Sequence, residues 1–143
     1  MVDDILWLNR EQCARSGIRL GWRRCDETPA LPLDAGLMEG ALLNIVKNAI
    51  EAVVEKGATG GYVELSLERH GAEAVLAVID SADLLGAVAP RQLFTPFFST
   101  KQGGQGIGLM FVREVLTRHR LTYSLASTGQ GETRFEIRFP DVP

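Results

Sequence analysis

Apolar and polar residues change their spacing along the chain, and the changes mark off helices from strands. Across residues 36–56, Met38, Leu42, Ile45, Ala49 and Val53 recur at intervals of four, three, four and four. That spacing lines one face of a long helix. Asp34 stands just before it, with a carboxylate able to accept the unbonded N–H groups of a first helical turn, and the glycine-rich stretch 57–61 ends it. Helical spacing returns over 108–120 through Leu109, Val112, Val115 and Leu116, and Arg118, His119 and Arg120 lie at the end where cations suit the helix dipole. A shorter helix is predicted over 3–16, with Ile5, Leu8 and Cys13 near one face and Gly17 after it.

Elsewhere the period is two. Ile18, Leu20 and Trp22 alternate with polar residues, as Val63, Leu65 and Leu67 do with Glu64, Ser66 and Glu68. After a turn at His70-Gly71, residues 74–79 are almost continuously apolar, the pattern of a central strand. Residues 121–127 and 134–139 flank Thr128-Gly129-Gln130-Gly131 and predict a closing hairpin. This order predicts an α+β fold, a two-layer sandwich in which helices cover one face of a mixed, mostly antiparallel sheet and the other face is partly wet. Residues 81–105 keep no period at all, and a segment of 25 residues far exceeds the usual connection of about 4–6.

Composition narrows the field of functions. A chain of 143 residues suits one domain, and it has no apolar run long enough to cross a membrane and no signal-peptide pattern at Met1. A soluble, cytoplasmic domain without direct membrane contact is expected. The net charge is −3 and the arginines are scattered, so no basic stripe advertises nucleic acid. Cys13 and Cys25 lack metal-ligand spacing and are expected to be reduced thiols.

Four places carry candidate chemistry. Asn44 and Asn48 stand one helical turn apart, so their amides leave the same edge of the apolar face, a stripe that Glu51 continues. By itself that spacing also describes a solvated helix edge. Gly103-Gly104-Gln105-Gly106-Ile107-Gly108-Leu109 puts four glycines in six positions before a helix start, where free N–H groups can meet a phosphate. A loop with a helix cap is the plainer alternative. The run is neither a Walker A sequence, which ends Gly-Lys-Ser/Thr, nor a Rossmann turn, which follows a strand directly. Asp80 ends the central strand, where a carboxylate can accept a hydrogen bond from a ring amine or simply terminate the strand. In Leu93-Phe94-Thr95-Pro96-Phe97-Phe98-Ser99-Thr100-Lys101, apolar anchors can seat a loop while Lys101 reaches for a phosphate, unless the three phenylalanines are core.

In this order the motifs resemble the GHKL superfamily, the Bergerat ATP-binding fold of histidine kinases, gyrase-type ATPases and anti-sigma-factor serine kinases. Leu43-Asn44-Ile45-Val46-Lys47-Asn48-Ala49-Ile50-Glu51-Ala52 resembles the asparagine box, which implies that Asn48 helps hold Mg²⁺ against the ATP phosphates with Asn44 nearby. Residues 94–101 resemble the phenylalanine box, in the Pro-Phe-Phe-Ser-Thr-Lys form of nitrogen-regulatory sensor kinases, and imply a phosphate contact from Lys101. Gly104-Gln105-Gly106-Ile107-Gly108-Leu109 is similar to the second glycine box, so Gly104, Gly106, Gly108 and Leu109 become nucleotide-site residues of a long ATP lid and its hinge. Gly129-Gln130-Gly131-Glu132-Thr133-Arg134-Phe135 resembles the last box and adds Thr133. One box departs. The family's Asp-x-Gly-x-Gly is here Asp80-Ser81-Ala82-Asp83-Leu84, which keeps the adenine acceptor but replaces both glycines.

The resemblance implies the ATP-binding catalytic domain of a sensor histidine kinase, residues 17–143, with residues 1–16 as the end of an upstream dimerisation helix or a linker. Its cofactors are ATP and Mg²⁺, and its partners are a phosphoacceptor and dimerisation domain of the same protein and a downstream response regulator. Neither His70 nor His119 is followed by the asparagine and proline typical of family phosphoacceptors. Hydrolytic relatives carry a glutamate where this chain has Asn44, which favours phosphotransfer over hydrolysis. The altered adenine box leaves open a degenerate interaction module, and an anti-sigma-factor-type serine kinase is a second alternative.

Overall fold

A computed structural model describes residues 2–24, 34–57, 59–83 and 106–140. The elements run α1 (Val2–Arg15), β1 (Arg19–Arg24), α2 (Ala35–Lys56), β2 (Tyr62–His70), β3 (Glu73–Asp80), α3 (Gly106–Arg118), β4 (Thr122–Ser127) and β5 (Thr133–Phe139). They form a five-stranded sheet in the order β1-β2-β3-β5-β4, parallel between β1 and β2 and antiparallel elsewhere. The apolar run 74–79 is indeed the central strand.

Cross-strand partners point to the same side of a sheet, so the register sorts the side chains into two faces. Val63, Leu65 and Leu67 of β2 share a face with Val78 and Leu76 of β3 and with Phe135 and Ile137 of β5. All of these are buried in one hydrophobic core with Met38, Leu42, Ile45, Val46, Ile50 and Val53 of α2 and Val112, Val115 and Leu116 of α3. The opposite face carries Glu64, Glu68, Arg134, Glu136 and Arg138 and has no described helix over it. There burial would raise the Glu136 carboxyl, but Arg134 and Arg138 outweigh it and hold that carboxyl below its usual range.

α2 begins where the sequence predicts. Asp34 Oδ1 accepts the Leu37 N–H at 3.0 Å, and Gly57 closes the helix in the left-handed conformation. His119, beyond the end of α3, ties the two helices together. Its Nε2 accepts the Asp34 backbone N–H at 3.1 Å, which leaves the ring proton on Nδ1 for the Val115 carbonyl at 2.8 Å.

Three local expectations change. In α1 the buried repeat is Ile5, Asn9 and Cys13, while Leu8 is 58% exposed. A true four-residue step selects Asn9, whose amide is satisfied by the Ile5 carbonyl at 2.8 Å and so tolerates burial. His70 is the last residue of β2, and the turn is made by Gly71 and Ala72. α3 starts at Gly106 and stops at Arg118, two residues short of the predicted end, because Arg120 adopts φ 56°. The bonds Leu121 N–H to Leu116 O and Arg120 N–H to Thr117 O are those of a Schellman cap. α1 ends the same way, with Gly17 at φ 68° in the equivalent place. A β-carbon is strained in that conformation, so Arg120→Gly is expected to stabilise the domain by about 0.5–1 kcal/mol. The check is a higher urea midpoint at unchanged m-value. No described helix is long and apolar enough to cross a membrane.

Candidate functional site

Of the predicted site residues, Asp80 and Thr133 lie together at one end of the sheet. Val63, Asp80, Thr133 and Ser127 lie side by side across β2, β3, β5 and β4. In that row Asp80 and Thr133 point to the helix-covered side, each 6% exposed. Burial pushes the Asp80 carboxyl up to about 6. The backbone N–H groups of Ala82 and Asp83 oppose that rise, and the charges of Asp83 and Glu132 add to it. Ionised and largely dry at neutral pH, Asp80 is a strong acceptor for a ring amine.

The turn after β3 shows how the chain manages without the first expected glycine. Ala82 is 1% exposed and its N–H donates to Asp80 Oδ1 at 2.9 Å. The left-handed conformation falls on Asp83, at φ 50°, and not on Ala82. Aspartate is among the few residues that reach that region readily. Three further contacts hold the turn. Ser81 and Tyr62 exchange hydrogen bonds, Tyr62 N–H to Ser81 Oγ at 2.9 Å and Ser81 N–H to the Tyr62 carbonyl at 3.1 Å. The Tyr62 hydroxyl donates to the Glu132 carboxylate, spanning the end of β3. Lys56 Nζ donates to the Ala82 carbonyl at 2.9 Å.

α2 presents the two asparagines at the border of its buried face. Asn44, Asn48 and Glu51 are half-buried between core residues such as Ile45 and the exposed Lys47. Asn44 Nδ2 turns back to the Gly40 carbonyl at 2.9 Å. At Gly40 the absence of a side chain matters, because a β-carbon there would lie 3.3 Å from the Phe111 ring. α3 therefore passes close to α2 one turn before Asn44. Gly106 and Gly108 sit in the first turn of α3, and Leu109 packs against the core. Lys101, Gly104, Leu84, the phenylalanine-box residues Phe94, Phe97 and Phe98, and Cys25 lie outside the described residues.

The donors present suit an adenine nucleotide and Mg²⁺. The Asn48 amide oxygen is a hard donor of the kind that a magnesium ion accepts alongside water and phosphate oxygens. No group of three or more His, Cys, Asp or Glu side chains that could cage a metal occurs among the described residues. A cleft of about 730 Å³ bordered by Arg19, Gly21, Tyr62, Glu64 and Glu132 belongs to the other side of the sheet, as the pairings Arg19 with Tyr62 and Gly21 with Glu64 require. Sequence spacing gave no sign of Lys56, Tyr62, Ser81 and Glu132 as supports of the Asp80 turn. Lys56 and Ala82 are 26 positions apart and Tyr62 and Glu132 are 70, so only the folded chain joins them.

The model of the family described as histidine kinase-, DNA gyrase B- and HSP90-like ATPases matches residues 34–143. The C4-dicarboxylate transport sensor protein DctS of Rhodobacter capsulatus is 32% identical over 112 residues, which are 78% of this chain and 17% of that protein. The sensory histidine kinase/phosphatase NtrB of Salmonella typhimurium is 34% identical over 122 residues, 78% of this chain and 34% of its own. The chain thus spans between about a sixth and a third of the length of these two relatives. The solved catalytic domain of the histidine kinase ThkA shares the fold at TM-score 0.84 and 21% identity, covering 98% of this chain and 90% of that one.

Proposed function

Because the chain belongs to the family of histidine kinase-, DNA gyrase B- and HSP90-like ATPases, we propose that it is the ATP-binding catalytic domain of a sensor histidine kinase. This domain is cytoplasmic, and it passes the γ-phosphate of ATP to a histidine on a separate dimerisation domain of the same protein, which in turn phosphorylates a response regulator. The observation that carries this reading is the buried, ionisable Asp80 with Thr133 beside it, facing the side of the sheet that α2 covers. In this reading residues 17–143 form the catalytic domain and residues 1–16 its junction with the dimerisation domain, anchored through Ile5 and Cys13 in the common core.

The residues divide the work. Asp80 accepts the adenine amine and thereby selects the base. Asn48 and Asn44 orient the phosphates along α2, while the first turn of α3 and Lys101 offer N–H groups and a charge to them. Mg²⁺, held through Asn48, would supply charge neutralisation on the phosphates. The acceptor imidazole already owns a lone pair, so transfer to it needs no strong base. Asn44 stands where a hydrolytic relative has a glutamate, and an amide committed to the Gly40 carbonyl does not activate water. The two histidines of the chain are placed elsewhere: the ring nitrogens of His119 bond the Asp34 N–H and the Val115 carbonyl, and exposed His70 lies beside Glu68 at the end of β2.

Calorimetric titration with ADP tests the reading. Saturable binding strengthened by Mg²⁺ is expected, and Asn48→Ala should weaken Mg²⁺-ADP by about tenfold and remove the magnesium dependence. Absence of saturation at millimolar nucleotide would overturn the assignment and leave an interaction module of the same fold.

A further inference from the structure

The turn that aims Asp80 is held by a residue outside every box of the family pattern. We propose that Lys56, the last residue of α2, is a positioning residue for adenine recognition, acting through the peptide unit between Ala82 and Asp83. The inference rests on the nucleotide-site reading given above.

That peptide unit is gripped at both ends. Its carbonyl oxygen, from Ala82, accepts Lys56 Nζ at 2.9 Å. Its N–H, from Asp83, donates to the Asp80 carboxylate, as does the N–H of Ala82. Rotating the unit would release the lysine and the aspartate together. The rotation is also what the local backbone favours, because Asp83 is held at φ 50°, a region that costs an L-residue about 1–2 kcal/mol. Aspartate can offset that cost by bonding its own carboxylate locally, but Asp83 Oδ1 is buried with no hydrogen-bond partner among the described residues. Among the described residues, that oxygen holds nothing that would keep the turn in shape. The charge-assisted bond from Lys56 fills the role from outside.

The arrangement has a consequence for specificity. With one oxygen of Asp80 occupied by the turn, the carboxylate has a fixed direction, and its remaining acceptor capacity is aimed at a ring amine instead of rotating. Glycine in the third position of the family box lets the backbone adopt such a turn freely. Here Ala82 occupies that place, 1% exposed, and a side chain from the end of α2 constrains the turn instead. Lys56 lies 26 residues upstream of the carbonyl it holds, so this device couples the asparagine-bearing helix to the adenine-facing strand end.

The experiment compares the native chain with Lys56→Met and Lys56→Arg by NMR and calorimetry. Three quantities are followed: hydrogen exchange of the Asp83 amide, titration of the Asp80 carboxyl carbon, and affinity for Mg²⁺-ADP. Lys56→Met is expected to speed Asp83 exchange by about tenfold, to move the Asp80 titration further upward and to weaken ADP about five- to tenfold. Lys56→Arg, which keeps a charged donor, restores all three. Unchanged Asp83 exchange and Asp80 titration in Lys56→Met overturn the proposal, whatever happens to affinity. So does a loss in Lys56→Met that Lys56→Arg fails to restore. If the native chain binds no ADP, the nucleotide reading fails, and the exchange and titration arms alone decide whether Lys56 fixes the turn.

Discussion

Asp80→Asn is expected to make the unliganded domain more stable at pH 8, by up to roughly 3 kcal/mol, while reducing affinity for ADP about 100-fold. Both effects come from the same burial. Asp80 is 6% exposed, and burial pushes its carboxyl up to about 6 in the folded chain from 3.8 for an unburied aspartate. The folded state therefore prefers the protonated form, and the favourable contribution is fully present below 3.8 and lost as pH rises to about 6. Above that pH the native chain carries a dry negative charge that, among the described residues, is opposed by the backbone N–H groups of Ala82 and Asp83. An asparagine removes the charge and can still accept the Ala82 N–H. Its remaining polar atoms, though, present a donor to the adenine amine, which is itself a donor, and a buried mismatch of that kind is strongly disfavoured.

Thermal unfolding of both proteins from pH 4 to pH 8 separates this account from a general effect of the substitution. The difference between them should be small near pH 4 and should grow through pH 6, because only the native chain has a group titrating there. A difference that is flat across the range, or a variant less stable at pH 8, would contradict the burial argument. Retained ADP affinity in a well-folded variant would contradict the adenine assignment instead. A site that stabilises its domain when mutated is one whose strain is tied to function.

The elements most legible in the sequence were those whose signal is periodic. The four-residue repeat of Met38, Leu42, Ile45, Ala49 and Val53 located α2 to within a residue, and the apolar run 74–79 marked the strand with neighbours on both edges. Asn44 and Asn48 were readable as a pair because helical spacing alone places them on one edge, and Asp80 because it ends a strand. What periodicity misses is a buried polar residue and a backbone reversal. Asn9 escapes an apolar count because its side chain is polar, although an amide bonded to Ile5 O is at no disadvantage inside. α3 ends two residues before its apolar spacing predicts because Arg120 takes a conformation that glycine usually signals. The altered adenine box could be seen as a change of residue but not as a shape. Nothing in Asp80-Ser81-Ala82-Asp83 reveals that Asp83 takes the left-handed conformation or that Lys56 holds the Ala82 carbonyl.

The second large effect concerns how the helices are held against the sheet. Leu116 is fully buried on α3 with Val112 and Val115 around it, in the core that also contains Leu42, Ile50 and Ile137. Leu116→Ala removes three carbons from a close-packed site and is expected to cost about 3–4 kcal/mol, the sum of lost transfer energy and the cavity left behind. For a domain of this size that lowers the unfolding midpoint by roughly 10 °C. Ligand binding should suffer as well, because α3 carries Gly106 and Gly108 at its start and meets α2 where Phe111 passes Gly40. A helix loosened at Leu116 shifts its first turn relative to α2. Leu116→Met keeps most of the volume and should lose less than about 1.5 kcal/mol. Measuring both by urea unfolding and ADP titration distinguishes two cases. If Leu116→Ala lowers stability while ADP affinity stays at the native value under fully folded conditions, α3 is merely a structural cover. If affinity falls with it and Leu116→Met recovers both, the packing of α3 on α2 sets the geometry of the phosphate end of the site.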